Sequence, residues 1–348
     1  MIASAGRLPR IIHLSRSARL PLLVGLCLAS ILAAAALGLL ASTPRISPAG
    51  LWDVLRGGGT PLDRVLITEL RLPRFVLGVL GGAMLALSGA LLQDAMRNPL
   101  AGPELLGVTA GATIVVAAIT ILHLSVLLAL IPWLALAGGL LAGGLVIILM
   151  RRTDDPIRLV LVGAALTALL NAAVIVLMSY GTQSDIGVLF LFLVGSLANR
   201  TWIQVRLILP WALVGIPLAL LTARALNVLQ LGEDVARGLG LPVLRVRVLV
   251  LVLSAALVAA VVAVCGPISF VALLAPHLVR RALDTADARI VLPCCALVGA
   301  ALLTGADVLA RLTFDPLELP VGIWTTLLGG PLLLLLLRRQ LRASRGDA

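Results

Sequence analysis

The chain has 348 residues, is 61% hydrophobic and only 12% charged, and carries a formal net charge of +11. A water-soluble domain carries about a quarter charged residues, so apolarity spread over the whole length excludes a soluble protein with one anchor and requires many membrane spans. All 27 basic residues are Arg, with no Lys, which excludes a GxxxxGK(S/T) phosphate-binding loop and a Schiff-base lysine.

A span needs about 20 apolar residues. Apolar runs and Arg clusters predict ten, the first five near Leu20–Leu40, Phe75–Leu92, Leu105–Leu122, Leu127–Met150 and Leu159–Met178. The second five fall near Ile203–Leu221, Val248–Cys265, Ser269–Val279, Ile290–Ala310 and Val321–Leu337. Leu20–Leu40 is longer than the 7–15-residue core of a signal peptide, so a retained first span is expected. The apolar run Val188–Val194 is too short to cross and predicts a short helix on the outer side.

With the N-terminus inside, inner segments hold 19 of the 27 Arg and outer segments the other 8. That positive-inside bias places both termini in the cytoplasm. It also makes the Arg excess a topology signal rather than a nucleic-acid surface. One transmembrane domain over 1–348 is expected, with cytoplasmic tails at 1–19 and 338–348 and a cytoplasmic loop at 223–247.

The Arg245/Arg247 and Arg280/Arg281 pairs both belong inside, yet only 32 residues separate them. Two full spans need about 40. A short eighth element is therefore predicted, turning at Gly266-Pro267. Non-helical backbone there must be buried in protein or line a watery cavity.

Four stretches carry further information. In Gly89–Ala112, Asn98-Pro99 and Gly102-Pro103 stop one helix and start the next, while Gly107 and Gly111 allow close helix approach. In Leu231–Arg247, Glu233 and Asp234 suit a helix N-terminus. Val235, Ala236 and Leu239 share one side, and Gly238, Gly240 and Pro242 end the helix. A short, partly apolar cytoplasmic knob is the result. In Gly266–Arg281, Pro267 and Pro276 punctuate the eighth element, and His277 is read as a structural hydrogen-bonder. In Ala306–Pro331, Asp307 stands four residues before Arg311, so the two can pair along one helix face; Glu318 precedes the last span.

The tetrapeptide Arg-Leu-Pro-Arg occurs twice, at 7–10 and 71–74. The inner copy fits the charge bias. Arg71 and Arg74 lie outside, against that bias, and flank the predicted N-terminus of span 2, where the helix dipole disfavours cations. Pro73 fits a first turn. An acidic partner is the economical explanation.

Cys27, Cys265, Cys294 and Cys295 and the three His lack ligand spacing, so neither a disulfide framework nor a metal site is expected. No nucleophile–base pair within the spans supports an intramembrane enzyme. An ion-coupled transporter would need acids deep in the spans; Asp307 and Glu318 both fall at the outer end.

These stretches, in this order and with RLPR before span 2, resemble the permease subunits of iron-siderophore, haem and vitamin B12 importers, which are type II ABC importers. The resemblance runs from about Leu20 to Arg339. "GPISFVALLAPH" and "LVGSL" are most similar to one partner of the ferric-siderophore permease pairs. It implies an all-α, ten-span subunit of the bacterial inner membrane, without a cofactor or catalytic site of its own. Spans 2–5 and 7–10 would form an inverted repeat. The implied partners are a second permease (a paralogue rather than an identical copy), two cytoplasmic ATPases using ATP-Mg, and an extracytoplasmic binding protein. The resemblance puts docking on Arg71, Arg74 and Arg311, and coupling to the ATPase on Gly232–Leu244, through Glu233, Ala236 and Gly240. The loop Thr153-Asp154-Asp155-Pro156-Ile157 departs from the hydroxyl-bearing cytoplasmic gate of the cobalamin permease.

Overall fold

The computed structural model describes residues 16–150, 156–314 and 317–346, and the described elements are all helical. The Arg7–Arg10 copy of the tetrapeptide and positions 153–155 of the gate loop lie outside them. In chain order the helices are α1 (Arg16–Leu40), α2 (Pro48–Leu55), α3 (Pro61–Val65), α4 (Leu72–Met96), α5 (Val108–Ile121), α6 (Ile131–Met150), α7 (Pro156–Met178) and α8 (Gln183–Val194). They continue with α9 (Trp202–Leu221), α10 (Ala223–Gln230), α11 (Glu233–Gly238), α12 (Val243–Cys265), α13 (Val271–Leu283), α14 (Ala288–Leu312) and α15 (Val321–Gly346).

Among the described residues, seven helices are long and apolar enough to cross a membrane. The other three predicted spans coincide with shorter elements: α5 with 14 residues, α13 with 13, and α15, whose apolar part is Val321–Leu335. The short outer run is the helix α8, opened by a capping box between Thr182 and Asp185.

Helix α4 is the axis of the bundle and packs against α14, α12, α13 and α9. Every residue from Gly81 to Met96 is buried. A helix apolar all round belongs in the interior, and its small residues admit neighbours closely. A Cβ built on Gly82 would stand 2.2 Å from the Gly299 carbonyl oxygen of α14, and one on Gly299 would stand 2.2 Å from that of Gly82. Against α12, the Ser88 and Ser254 hydroxyls meet at 2.7 Å. Helix α5 packs on α6 in the same way, where a Cβ on Gly111 would lie 2.5 Å from the Gly138 oxygen. Gly107 serves differently: its φ of 68° is a left-handed link between the Pro103–Leu106 turn and α5, with ordinary packing around it.

Span 2 begins earlier than its apolar run predicts. The helix is continuous from Pro61 to Met96, with a π-helical segment at Leu66–Arg71. The reason is local. Thr60 caps the start by accepting from the Asp63 amide at 3.1 Å, and Pro61 occupies the first turn. Arg71 and Arg74 therefore stand within a helix, not at its N-terminus, which removes the unfavourable dipole expected for them. Pro73 follows the π segment, where the Leu72 amide reaches back to the Ile67 oxygen.

The turn between α12 and α13 is a five-residue non-helical stretch, Gly266–Phe270. It packs on the chain that leaves α8. The Ser196 amide donates to the Cys265 oxygen at 2.7 Å. A Cβ on Gly195 would come within 2.1 Å of the Pro267 oxygen. Gly266 and Ile268 are buried and Pro267, Ser269 and Phe270 half-buried, so the irregular backbone is largely covered by protein. Within α13, Pro276 leaves the Ala272 carbonyl without an intrahelical donor, and Gly89 of α4 packs against that oxygen.

Candidate functional site

At the outer end, α4, α14 and the end of α1 converge on a cluster of charges. Arg74 is 8% exposed and grips Asp307 with Nε at 3.0 Å and Nη2 at 2.9 Å. Its Nη1 donates to Glu318 at 2.7 Å. Arg311, 6% exposed, reaches Asp307 at 3.1 Å, the i,i+4 pairing that the spacing predicts. It also donates to the Gly38 oxygen and the Ser42 hydroxyl, each at 3.0 Å.

Arg71, 6% exposed, bonds carbonyl oxygens: Leu39 at 2.6 Å, Ser42 at 2.9 Å and Pro44 at 2.5 Å. Gly38 and Leu39 belong to the last turn of α1, whose carbonyls have no intrahelical donors. Two guanidiniums thus cap the negative end of that helix, where cations are favoured. The acidic partner that Arg74 called for lies within the same chain.

Arg71, Arg74, Arg311, Glu318 and Ser42 wall a cleft of about 170 Å³ that also takes in Thr43, Leu70, Asn199 and Arg200. The Nε atoms of Arg200 and Arg311 are buried and have no hydrogen-bond partner among the described residues. Four arginines against Asp307 and Glu318 leave the mouth positively charged. Arg200 is one of the eight outer Arg residues, and nothing in its local sequence sets it apart from the others.

At the opposite end of the bundle, which the Arg bias predicts to be cytoplasmic, the 223–247 segment folds as α10, α11 and the start of α12. Gly232 and Gly240 take φ values of 116° and 81°, which let the chain enter and leave the six-residue α11. The predicted shared face is divided. Ala236 is fully buried, whereas Val235, Leu239 and the preceding Leu231 are exposed. Asp234 is fully exposed, but Glu233 turns inward. It accepts from Arg237 at 3.3 Å and from Arg247 near the start of α12. Arg247 is only 2% exposed, so this pair ties the knob to a span.

A second internal pair lies nearby. Arg280 of α13 donates to Asp94 at 2.8 Å and to Gln93 at 2.5 Å, both on α4. Gln93 in turn donates to the Leu273 oxygen at 3.2 Å. With Gln230 and the Asn98-Pro99 turn they line a polar cleft of about 210 Å³. Asn98 shapes that turn by accepting from the Leu100 amide at 2.9 Å. His277 is buried one helical turn before Arg280 and Arg281.

At the start of α14, Asp287 accepts from the Asn227 amide at 2.6 Å and the Arg289 amide at 2.9 Å. These donors hold its carboxyl below the usual range.

The sequence profile of the FecCD transport family matches residues 26–339. The chain belongs to the FecCD transport family. The Fe(3+) dicitrate transport system permease protein FecD of Escherichia coli is 40% identical over 275 residues, 79% of this chain and 86% of that protein. The hemin transport system permease protein HmuU of Yersinia pestis is 42% identical, covering 78% of this chain and 83% of that one. The achromobactin transport system permease protein CbrC of Dickeya dadantii is 37% identical over 96% of this chain and 95% of its own length. A solved metal-chelate type ABC transporter in an inward-facing conformation superposes with a TM-score of 0.81 at 30% identity, covering 92% of this chain and 99% of that one. This FecCD protein is a permease, not an enzyme, and a multi-pass protein of the bacterial inner membrane.

Proposed function

We propose that this FecCD permease is the membrane subunit of an ATP-driven importer for a ferric chelate, a siderophore ahead of haem or cobalamin. It works beside a paralogous second permease. A binding protein delivers the ligand to the outer face, and two cytoplasmic ATPases use ATP-Mg. The observation that carries this reading is the knob. Leu231, Val235 and Leu239 are apolar and exposed on the cytoplasmic side, beside the fully exposed Asp234. Such a face suits a groove on a partner that drives the spans.

The chain supplies no covalent chemistry to the cycle. The loaded binding protein docks at the arginine-lined mouth, with Arg71, Arg74 and Arg311 building its walls. Positive charge there steers an acidic partner and speeds encounter more than it adds affinity. Approach of the two ATPases pushes α11, and the Glu233–Arg247 pair passes the motion to α12. Ala236 and Gly240 fix the shape of the knob rather than its contacts.

The test has two arms. Growth of a permease-deletion strain on ferric siderophores, haem and cobalamin identifies the ligand: rescue by siderophore alone supports the reading, and rescue by haem or cobalamin alone replaces it. Val235→Glu with Leu239→Glu should abolish co-purification of the ATPase; retention of the ATPase would remove α11 from the coupling role.

A further inference from the structure

The cleft between the inner ends of α9 and α14 has no part in the scheme above. It measures about 520 Å³ and is lined by Leu220, Leu221, Ala223, Arg224, Ala288, Arg289 and Pro293. Its chemistry is divided. Leu220, Leu221 and Pro293 form an apolar wall, and Leu221 is 76% exposed. Arg224 and Arg289 are exposed cations at the rim, and neither guanidinium has a hydrogen bond or ion pair among the described residues. The two come from positions 65 residues apart.

The cleft is also held in shape. Both ends of the Asn227 side chain clasp α10 to the start of α14: its amide donates to Asp287 at 2.6 Å, and its oxygen accepts from the Ala288 amide at 2.7 Å. The same clasp occupies Asp287, two positions before Arg289, and Asp287 also accepts from the Arg289 amide. An arginine serving only as a topology signal needs no cleft and no fixed neighbour. By the charge bias this site lies at the cytoplasmic interface, where anionic headgroups meet acyl chains.

We propose that this cleft binds an anionic phospholipid of the cytoplasmic leaflet, its phosphate held by Arg224 and Arg289 and an acyl chain laid along Leu220, Leu221 and Pro293. Charge complementarity selects the headgroup, and the apolar wall with its exposed Leu221 selects a lipid over a free anion. Bound there, the lipid also braces α10, which leads directly into α11.

The experiment uses the assembled transporter in detergent, with phosphatidylglycerol and phosphatidylcholine as probes, read by native mass spectrometry and thermal melting. Phosphatidylglycerol should stay bound and raise the melting midpoint, with phosphatidylcholine doing neither. Arg224→Gln with Arg289→Gln should weaken phosphatidylglycerol binding by at least about tenfold, and Arg224→Lys with Arg289→Lys should preserve it. Equal binding of both lipids by the unaltered protein would overturn the proposal, as would an unchanged affinity in the Gln pair. Displacement of phosphatidylglycerol by millimolar inorganic phosphate would make this a free-anion site and also refute it.

Discussion

Arg74 and Asp307 lie 233 positions apart and meet through two guanidinium nitrogens at 2.9 and 3.0 Å, both buried at the outer end of the bundle. Asp307 serves Arg311 as well, at 3.1 Å. One carboxylate therefore keeps two buried cations together. Losing one partner of a buried pair costs more than the pair contributes, because the remaining charge stays desolvated. Asp307→Ala should lower stability by about 3–5 kcal/mol, read as a large drop in the melting midpoint of the purified transporter. Asp307→Glu should recover part of it. A melting curve unchanged by Asp307→Ala would show that the cluster is not held by this acid.

The same geometry changes how docking is tested. Reversing Arg71, Arg74 or Arg311 to Glu puts an acid against carbonyl oxygens or Asp307, so loss of uptake would follow from misfolding alone. Arg200 lines the mouth without belonging to that paired core. Arg200→Gln should weaken binding of the docking protein several-fold and flatten its salt dependence, with the melting midpoint nearly unchanged. Unaltered affinity and salt response would remove Arg200 from the docking surface.

Much of the architecture was legible because span length and Arg placement are one-dimensional signals. The short eighth element and α8 both follow from counting residues between charges and turns. The start of span 2 was misplaced for the opposite reason. Asp63, Arg64, Glu69, Arg71 and Arg74 look like an outer loop by hydropathy, yet Thr60-Pro61-Leu62-Asp63 is a helix cap. The role of Arg71 and Arg311 was out of reach, because it depends on α1 ending beside them in space. In α11 the pattern located a helix but not its inward side: six residues are too few for periodicity to distinguish the Ala236 side from the Val235 side.

Close helix approach supplies a sharper packing test. Gly82 and Gly299 face each other with no room for a Cβ on either, since each would meet backbone at 2.2 Å. Gly82→Ala should separate α4 from α14 and cost about 1–3 kcal/mol. Gly305 lies on the same α14, and a Cβ there meets nothing within 4 Å. Gly305→Ala should be neutral or stabilising by about 0.5–1 kcal/mol, because it restricts the unfolded chain. Equal melting shifts for the two would contradict the packing account.

The Glu233–Arg247 pair offers a test that separates coupling from folding. Arg247 is buried near the start of α12, and Glu233 begins α11, so the pair is a strut between knob and span. Glu233→Ala removes the carboxylate that joins α11 to the buried Arg247 and should let α11 move without α12. In proteoliposomes the expected signature is ATPase activity that persists while ligand transported per ATP falls several-fold. Simple misfolding would lower both together. Glu233→Arg combined with Arg247→Glu restores the attraction with its polarity reversed, and should recover part of the transport ratio that each single change loses. Glu233→Gln keeps a hydrogen-bond acceptor and should fall between wild type and Glu233→Ala. If transport and ATPase decline in parallel across the series, with no recovery in the exchanged pair, the contact only stabilises the loop and carries no motion.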